Sequence, residues 1–280
     1  MKKVKVGIIG HTGRLGTPLV EILQKHPLAD IVYTESRNKG FYGSLAKAEI
    51  IFLAVPYGES TNYLSKLKRK KIIDLSIDHR NKKGWSYGLP EIFRNEIKNA
   101  KMVANPGCYA TSILLALYPL KNEIKSIRIS STSGMSGAGI AQKKEENFLI
   151  YKEGDQHPQI QEITKILGVK DVLFIPQRID STEKGIVSTI FVNINDKLSN
   201  IHDIYKEFYR NCRFIRIRDE IETRHVVGTN FCDMKIMEFQ NDILIISALD
   251  NIIKGGVGQA IQNFNLMYGI DEVLGLIGDR

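Results

Sequence analysis

Residues 4–16, VKVGIIGHTGRLG, decide the fold of this chain. The first half is a nearly continuous apolar run, as expected for a central parallel strand buried on both faces. Gly10, Gly13 and Gly16 follow at GxxGxxG spacing. TPLVEILQKH (17–26) then sets Leu19, Val20, Ile22 and Leu23 at helical spacing before Pro27 stops the helix. Strand, glycine turn and helix in this order bring backbone close to a pyrophosphate and aim helix N–H groups at it, although a plain tight turn has the same composition.

Working outward, IVYTES (31–36), EIIFLAVP (49–56) and KIIDLS (71–76) read as further strands, with Tyr63 to Lys70 helical between the last two. Strands alternating with helices imply a doubly wound, Rossmann-like parallel α/β sheet. The end of the second strand reads the ribose: an acid there takes the 2′-hydroxyl of NAD, and a nearby arginine accommodates the 2′-phosphate of NADP. In Thr34-Glu35-Ser36-Arg37, the pair Ser36 and Arg37 favours NADP, and Glu35 keeps NAD open. Only about ten residues separate Arg37 from the strand at Glu49, so the usual intervening helix is missing or rudimentary.

Beyond Pro106 the pattern changes. TSILLALYPL (111–120) is helical, and Asp203 to Tyr209 is expected to be helical as well. SIRISSTS (126–133), VLFIPQRI (172–179), GIVSTIFVNI (185–194), NFCDMKIMEF (230–239) and DILIISALD (242–250) are strand-like and mostly lack helices between them. A second, α+β domain with a mixed or antiparallel sheet follows. GQAIQNFNLMYG (258–269) is helical and returns to the first domain. The expected division is 1–107 plus 255–280 for the dinucleotide domain and 108–254 for the second domain.

With 43% apolar and 25% charged residues the chain has globular composition, and no apolar run reaches the ~18 residues of a membrane span. The opening MKKVKVGIIG enters a strand pattern at once, so the expected compartment is the cytoplasm. Cys108, Cys212 and Cys232 lack CxxC spacing, which argues against a disulfide framework or a metal site. The net charge of +8 suits a polyanionic substrate or cofactor and, by itself, nucleic acid equally. Its one basic cluster, KLKRKK (66–71), reads as a solvated helix end, and no nucleic-acid or membrane partner is expected.

NPGCYAT (105–111) is the most informative stretch for chemistry. Pro106 and Gly107 turn the chain, and Cys108 falls at the start of the following helix. Exposed N–H groups and the dipole there stabilise a thiolate and lower the pKa of the thiol. A buried, inert thiol is the alternative, and Cys212 and Cys232 are assigned to it. TSGMSGAGIA (132–141) carries Gly134, Gly137 and Gly139 among Ser133 and Ser136, a loop whose successive N–H groups suit phosphate or carboxylate oxygens. His157 in DQHPQIQEI (155–163) is the candidate acid/base, because imidazole titrates near neutrality.

Taken in order, GHTGRLG, Ser36-Arg37, FLAVPYG, DLSIDHR, YGLPEI, NPGCYAT, SGMSGAG, VVGTN and LDNIIKGGVGQAIQNFNLMYG resemble the N-acetyl-γ-glutamyl-phosphate reductase family of arginine biosynthesis. HRNKKGWSYGLPEI (79–92) is similar to its shorter, second type. The resemblance implies a Rossmann domain joined to an α+β domain of the semialdehyde dehydrogenase type, an NADP(H) cofactor, no metal, and a homo-oligomer, a dimer or homotetramer. It implies that Cys108 forms a thioester and His157 moves protons. It places the cofactor on Gly10, Thr12, Gly13, Leu15, Gly16, Ser36, Arg37, Pro56, Ser76, Ser133, Gly134 and Asn251. The substrate falls to Asn105, Arg80, Ser136, Gln159, Glu162, Arg178 and Lys254. One departure stands out: the family's H-x-H-x-x-E-I segment reads HPQIQEI here, so Gln159 replaces the second histidine. Aspartate-semialdehyde dehydrogenase, a carrier-protein-linked lysine-pathway homologue and a non-catalytic NADP sensor are the alternatives.

Overall fold

A computed structural model describes residues 2–138, 148–195, 198–239 and 242–276. The chain forms two compact units, one from the residues up to Pro106 with those from Gly256 onward, the other from Gly107–Gly255.

The first unit runs β1 (Val4–Ile9), α1 (Gly16–Lys25), β2 (Ala29–Ser36), β3 (Gly40–Gly43), β4 (Ile50–Leu53), α2 (Ser60–Tyr63), β5 (Lys71–Asp74), β6 (Ser86–Tyr87), α3 (Pro90–Asn99) and β7 (Met102–Ala104). Its sheet has the order β3-β2-β1-β4-β5-β7-β6 and is parallel except for β3 against β2. Val6, Ile8 and Ile9 on β1 and all of β4 are buried on both faces, which is why these strands read as unbroken apolar runs. Chain order reverses between β1 and β4, and open parallel sheets bind ligands at such a switch point.

The helix expected to be short or absent after β2 is replaced. The chain turns at Gly40 (φ +66), pairs back as β3, and makes one 3-10 turn at Leu45–Lys47. GFYG is too short to show an alternation, so β3 carries no strand signal. The helical stretch before β5 covers α2 and a 3-10 turn at Leu64–Leu67, earlier than the expected Tyr63 to Lys70. Lys66, Lys68 and Arg69 of the basic run are exposed, while its last two lysines are engaged. Lys70 Nζ donates to the carbonyls of Ala46 and Ala48, and Lys71 Nζ donates to Met267 O at 2.7 Å.

The second unit contains α4 (Cys108–Leu117), β8 (Ile124–Gly134), β9 (Phe148–Ile150), α5 (Ile160–Leu167), β10 (Val172–Ile179), β11 (Ile186–Ile194), α6 (Ile201–Tyr209), β12 (Ile215–Ile217), β13 (Cys232–Phe239) and β14 (Asp242–Leu249). The sheet order is β12-β13-β14-β11-β8-β10-β9. It is mixed, with β8–β10 and β12–β13 parallel and the other pairs antiparallel. α6 covers the helix expected at Asp203 to Tyr209, and α5 is a helix that the sequence pattern did not show. Residues 109–117 of α4 are buried throughout, and the helix is held to the sheet by hydroxyls. Ser112 Oγ meets Ser188 Oγ at 2.9 Å and Ser247 Oγ at 3.0 Å, and Ser131 Oγ reaches Ser188 Oγ at 2.8 Å. Small hydroxylic residues let the helix approach the strands closely while satisfying one another.

The last helix, α7 (Gly258–Met267), belongs to the first unit and is buried along its whole length, polar residues included. Gln262 Nε2 donates to Glu91 and Glu272, and Asn263 Nδ2 donates to Gly88 O. Asn265 Oδ1 lies 3.0 Å from His26 Nε2, while His26 Nδ1 accepts from Leu28 N. Burial holds this imidazole below its ordinary pKa, outweighing its hydrogen bonds. The fold therefore favours the neutral ring, and the unfolded chain binds the proton near pH ~6.5. Stability from this ring is complete above that value and is lost as pH falls from it towards the lower folded-state value. Thermal unfolding between about pH 7.5 and pH 5 should show the wild type losing more of its midpoint than His26→Gln. Equal slopes would remove His26 as a cause.

Candidate active site

In the first unit the glycine turn is built by close backbone contact. Gly10 N donates to Glu35 O at 2.7 Å and Gly13 N to Gly10 O at 3.0 Å. Gly10 has φ +90, and a Cβ on it would lie 2.2 Å from Ala54 O; one on Gly16 would lie 2.0 Å from Gly10 O. Only glycine fits either place. Helix α1 begins directly after the turn, with Leu15 as N-cap, no side-chain cap and no acidic residue in its first turn. An uncapped N-terminus at the switch point fits the pyrophosphate of a dinucleotide. Beside it lies a cavity of about 430 Å³ lined by His11, Thr12, Thr17, Val20, Glu21 and Lys39.

The remaining expected residues of this unit are placed as follows. Ser36 ends β2 and its Oγ accepts from Lys39 N at 3.2 Å. Arg37 is exposed and ion-paired to Glu59. Glu35 accepts a hydrogen bond from Tyr33 Oη at 2.5 Å. Pro56 is exposed at the carboxyl end of β4. Ser76 is buried in a network with Asp74, Ser60 and His79, its Oγ 2.9 Å from Asp74 Oδ2. Arg80 Nε donates to Asn105 O at 2.9 Å, and its Nη2 is 3.3 Å from Leu75 O. Asn105 donates to Gly256 O and accepts from Asn263 Nδ2, both at 3.0 Å. Arg80 and Asn105 thus brace the loop that leads to the nucleophile.

In the second unit Cys108 is the first residue of α4, with Gly107 as an extended N-cap, and it is half-buried. Among the described residues none of the three cysteines is in a disulfide; Cys232 is fully buried on β13. The sulfur sits at the positive end of the α4 dipole. Gly255 packs beneath it so closely that a Cβ there would be 2.6 Å from Cys108 Cβ.

The start of α5 meets the start of α4. Gln159 Oε1 accepts from Ala110 N at 2.9 Å, and Glu162 Oε2, in the first turn of α5, accepts from Gly107 N at 3.2 Å. The residue at the second-histidine position is therefore an amide that caps the nucleophile's helix and does not titrate. Gln159→Leu should cost about 1 kcal/mol in denaturant unfolding, the usual value of a lost helix cap. An unchanged midpoint would deny the capping role.

His157 is buried among Tyr109, Tyr151 and Phe174, with ring centroids at 5.3, 6.0 and 5.3 Å. Its Nδ1 accepts from Gln159 N at 3.3 Å, so the neutral ring carries its proton on Nε2. Tyr109 Oη is 3.0 Å from both Tyr151 Oη and Gln177 O. Burial, followed by Tyr151, holds this phenol far above the ordinary range, so it stays protonated. Ser136 Oγ accepts from Asn251 Nδ2 at 2.8 Å, and Asn251 Oδ1 accepts from Gly185 N at 2.8 Å. Ser133 and Gly134 end β8, buried; Gly139 lies outside the described residues. Arg178 is tied to Asp180 in a buried two-point ion pair, and Lys254 is fully buried with Nζ 5.5 Å from the Phe214 ring centroid. Sequence reasoning passed over His11, Lys39, Tyr151 and Gly255. Only Gly255, in a double glycine, carried a signal.

A glycine turn at the switch point of one sheet, and a cysteine opening a buried helix over another, define a semialdehyde dehydrogenase-type oxidoreductase. The sequence models of that class agree: the NAD binding domain matches residues 41–100 and the dimerisation domain residues 108–251. Aspartate semialdehyde dehydrogenase II of Vibrio cholerae, complexed with ASA, shares the fold with TM-score 0.79 at 15% identity, over 96% of this chain and 99% of that one. The Candida albicans enzyme with NADP gives 0.75 at 14%, over 95% and 99%. Among curated sequences, N-acetyl-gamma-glutamyl-phosphate reductase of Pelodictyon phaeoclathratiforme is 36% identical over 97% of this chain and 98% of its own. That of Archaeoglobus fulgidus is 34% identical over 98% of each. The chain belongs to the N-acetyl-γ-glutamyl-phosphate reductase family.

Proposed function

We propose that this chain reduces N-acetyl-γ-glutamyl phosphate to N-acetylglutamate semialdehyde, with NADPH as reductant and Cys108 as covalent nucleophile. The observation that carries the reading is the placement of Cys108 at the start of α4, with Gly255 packed beneath it. The Cys108 thiolate attacks the acyl carbon, the carbon–oxygen bond to phosphate breaks, and inorganic phosphate leaves a thioester on the sulfur. NADPH would be held at the glycine turn and the carboxyl end of β2, and when bound would supply the hydride. His157 Nε2–H donates a hydrogen bond to the oxyanion that hydride addition leaves; that oxyanion re-forms the carbonyl as the carbon–sulfur bond breaks, releasing the aldehyde and the Cys108 thiolate. Gln159 and Glu162 hold the start of α4 in place. Ser136, which accepts a hydrogen bond from the cofactor-side Asn251, is proposed to bound the acyl site from the β8 end.

NADP is favoured over NAD because Glu35, the acid that would take a ribose 2′-hydroxyl, is engaged by Tyr33. A thiol nucleophile works in reducing surroundings, which suits the cytoplasm; among the described residues no helix is long and apolar enough to cross a membrane. For the partner, the sheet face of the second unit opposite α4 presents exposed Phe191 and Leu173 on either side of Arg128, and a second copy of the chain is proposed to cover it.

The test is phosphate-dependent NADP reduction with N-acetylglutamate semialdehyde and aspartate semialdehyde side by side. Turnover with the first alone is expected. Preference for the second would make the chain an aspartate-semialdehyde dehydrogenase, and turnover of neither would leave a non-catalytic NADP protein.

A further inference from the structure

We infer that the 2′-phosphate of the cofactor is read by Lys39, in the cavity between α1 and the β2–β3 turn, and not by Arg37. The inference rests on the NADP reading above and specifies which side chain carries it.

Arg37 is the conventional choice by position, but it is 75% exposed and its guanidinium is neutralised by the Glu59 carboxylate. Using it for phosphate would require breaking that pair and leaving Glu59 facing a dianion. Lys39 has no such conflict and lines the cavity beside the glycine turn, with His11 and Thr12 from the turn itself. The β2–β3 turn fixes its position: Lys39 N donates to Ser36 Oγ, and Gly40 at φ +66 reverses the chain directly after it. Where a longer chain would place a helix, this one has β3 and a 3-10 turn, and Lys39, in the turn leading into β3, lines the cavity together with Thr17, Val20 and Glu21 of α1.

The cavity also wants a ligand. His11, one of its lining residues, has a buried Nδ1 with no hydrogen-bond partner among the described residues, a state that costs free energy. Thr12 and Thr17 add hydroxyls suited to a ribose phosphate, and the volume of about 430 Å³ falls in the range of small-ligand sites. Glu21, one helical turn beyond Thr17, is the acidic side chain of the lining. Its charge opposes the phosphate, so Glu21→Gln should tighten binding.

Calorimetric titration of 2′,5′-ADP and 5′-AMP into the full chain isolates this contact from catalysis. Lys39→Ala is expected to weaken 2′,5′-ADP about tenfold or more while leaving 5′-AMP within about twofold; Arg37→Ala should cost less than about threefold. Circular dichroism would confirm that each variant is folded. If Arg37→Ala takes the tenfold loss and Lys39→Ala does not, the inference is overturned while the NADP reading stands. If the wild type does not prefer 2′,5′-ADP over 5′-AMP, both fall.

Discussion

Cys108→Ser leaves a folded chain that binds NADPH as the wild type does and turns over substrate slower by roughly 10³-fold or more. The replacement is nearly isosteric, and the first turn of α4 stays capped by Gln159 and Glu162, neither of which depends on the sulfur. What is lost is the nucleophile: a serine hydroxyl stays protonated at neutral pH and is a far weaker nucleophile than a thiolate. Rapid quenching of the wild type with acyl phosphate should release phosphate ahead of NADPH oxidation. It should also leave an adduct on Cys108 detectable by intact mass. The serine variant should show neither. Reductase activity near the wild-type level in the variant would remove covalent catalysis from the mechanism.

Gly255→Ala should cost about 10²-fold in kcat although residue 255 has no chemistry of its own. The added Cβ would lie 2.6 Å from Cys108 Cβ, 3.0 Å from Cys108 Cα and 3.3 Å from Leu249 Cδ1. The neighbour is the first residue of a helix buried from Tyr109 to Leu117, and its backbone cannot swing aside as a flexible side chain would, so the nucleophile itself must shift. Displacing a reacting atom by about 1 Å is enough for a loss of that size. The overpacking should also destabilise the unit by about 1–3 kcal/mol. Alkylation of Cys108 by iodoacetamide separates the two effects, since a displaced thiol in a folded protein reacts at a changed rate. A folded Gly255→Ala with full kcat and wild-type labelling would show that the contact is harmless.

The parts of the molecule legible in its residues are those fixed by neighbours in sequence. β1, the glycine turn and α1 follow from one local pattern, and the helix start at Cys108 follows from Pro106, Gly107 and the apolar run behind them. The missing helix after β2 could be read from spacing alone. Its replacement could not, because β3 is two aromatic residues between glycines and exists by pairing with β2. The environment of the nucleophile was equally hidden. Gln159 and Glu162 reach the start of α4 from 49 and 55 residues away, and nothing in HPQIQEI says which backbone N–H groups they meet. Gln159 looked like a defect in a histidine motif; in three dimensions it is a cap. Arg37 and Lys39 show the same limit, since only the structure reveals that Glu59 has claimed the first.

The division of the chain bears on the order in which it folds during synthesis. Residues 107–255 are contiguous, so this unit has all of its own strands and helices as soon as they leave the ribosome. The parallel sheet of the other unit emerges earlier yet lacks α7, whose Asn263 joins Gly88 and Asn105 and whose Asn265 faces His26. Until translation passes residue 267, the carbonyls and amides that α7 serves have only water or a chaperone to meet them. The half of the protein made first is thus completed last, and truncation after residue 255 should release a stable second unit attached to an unfinished first one.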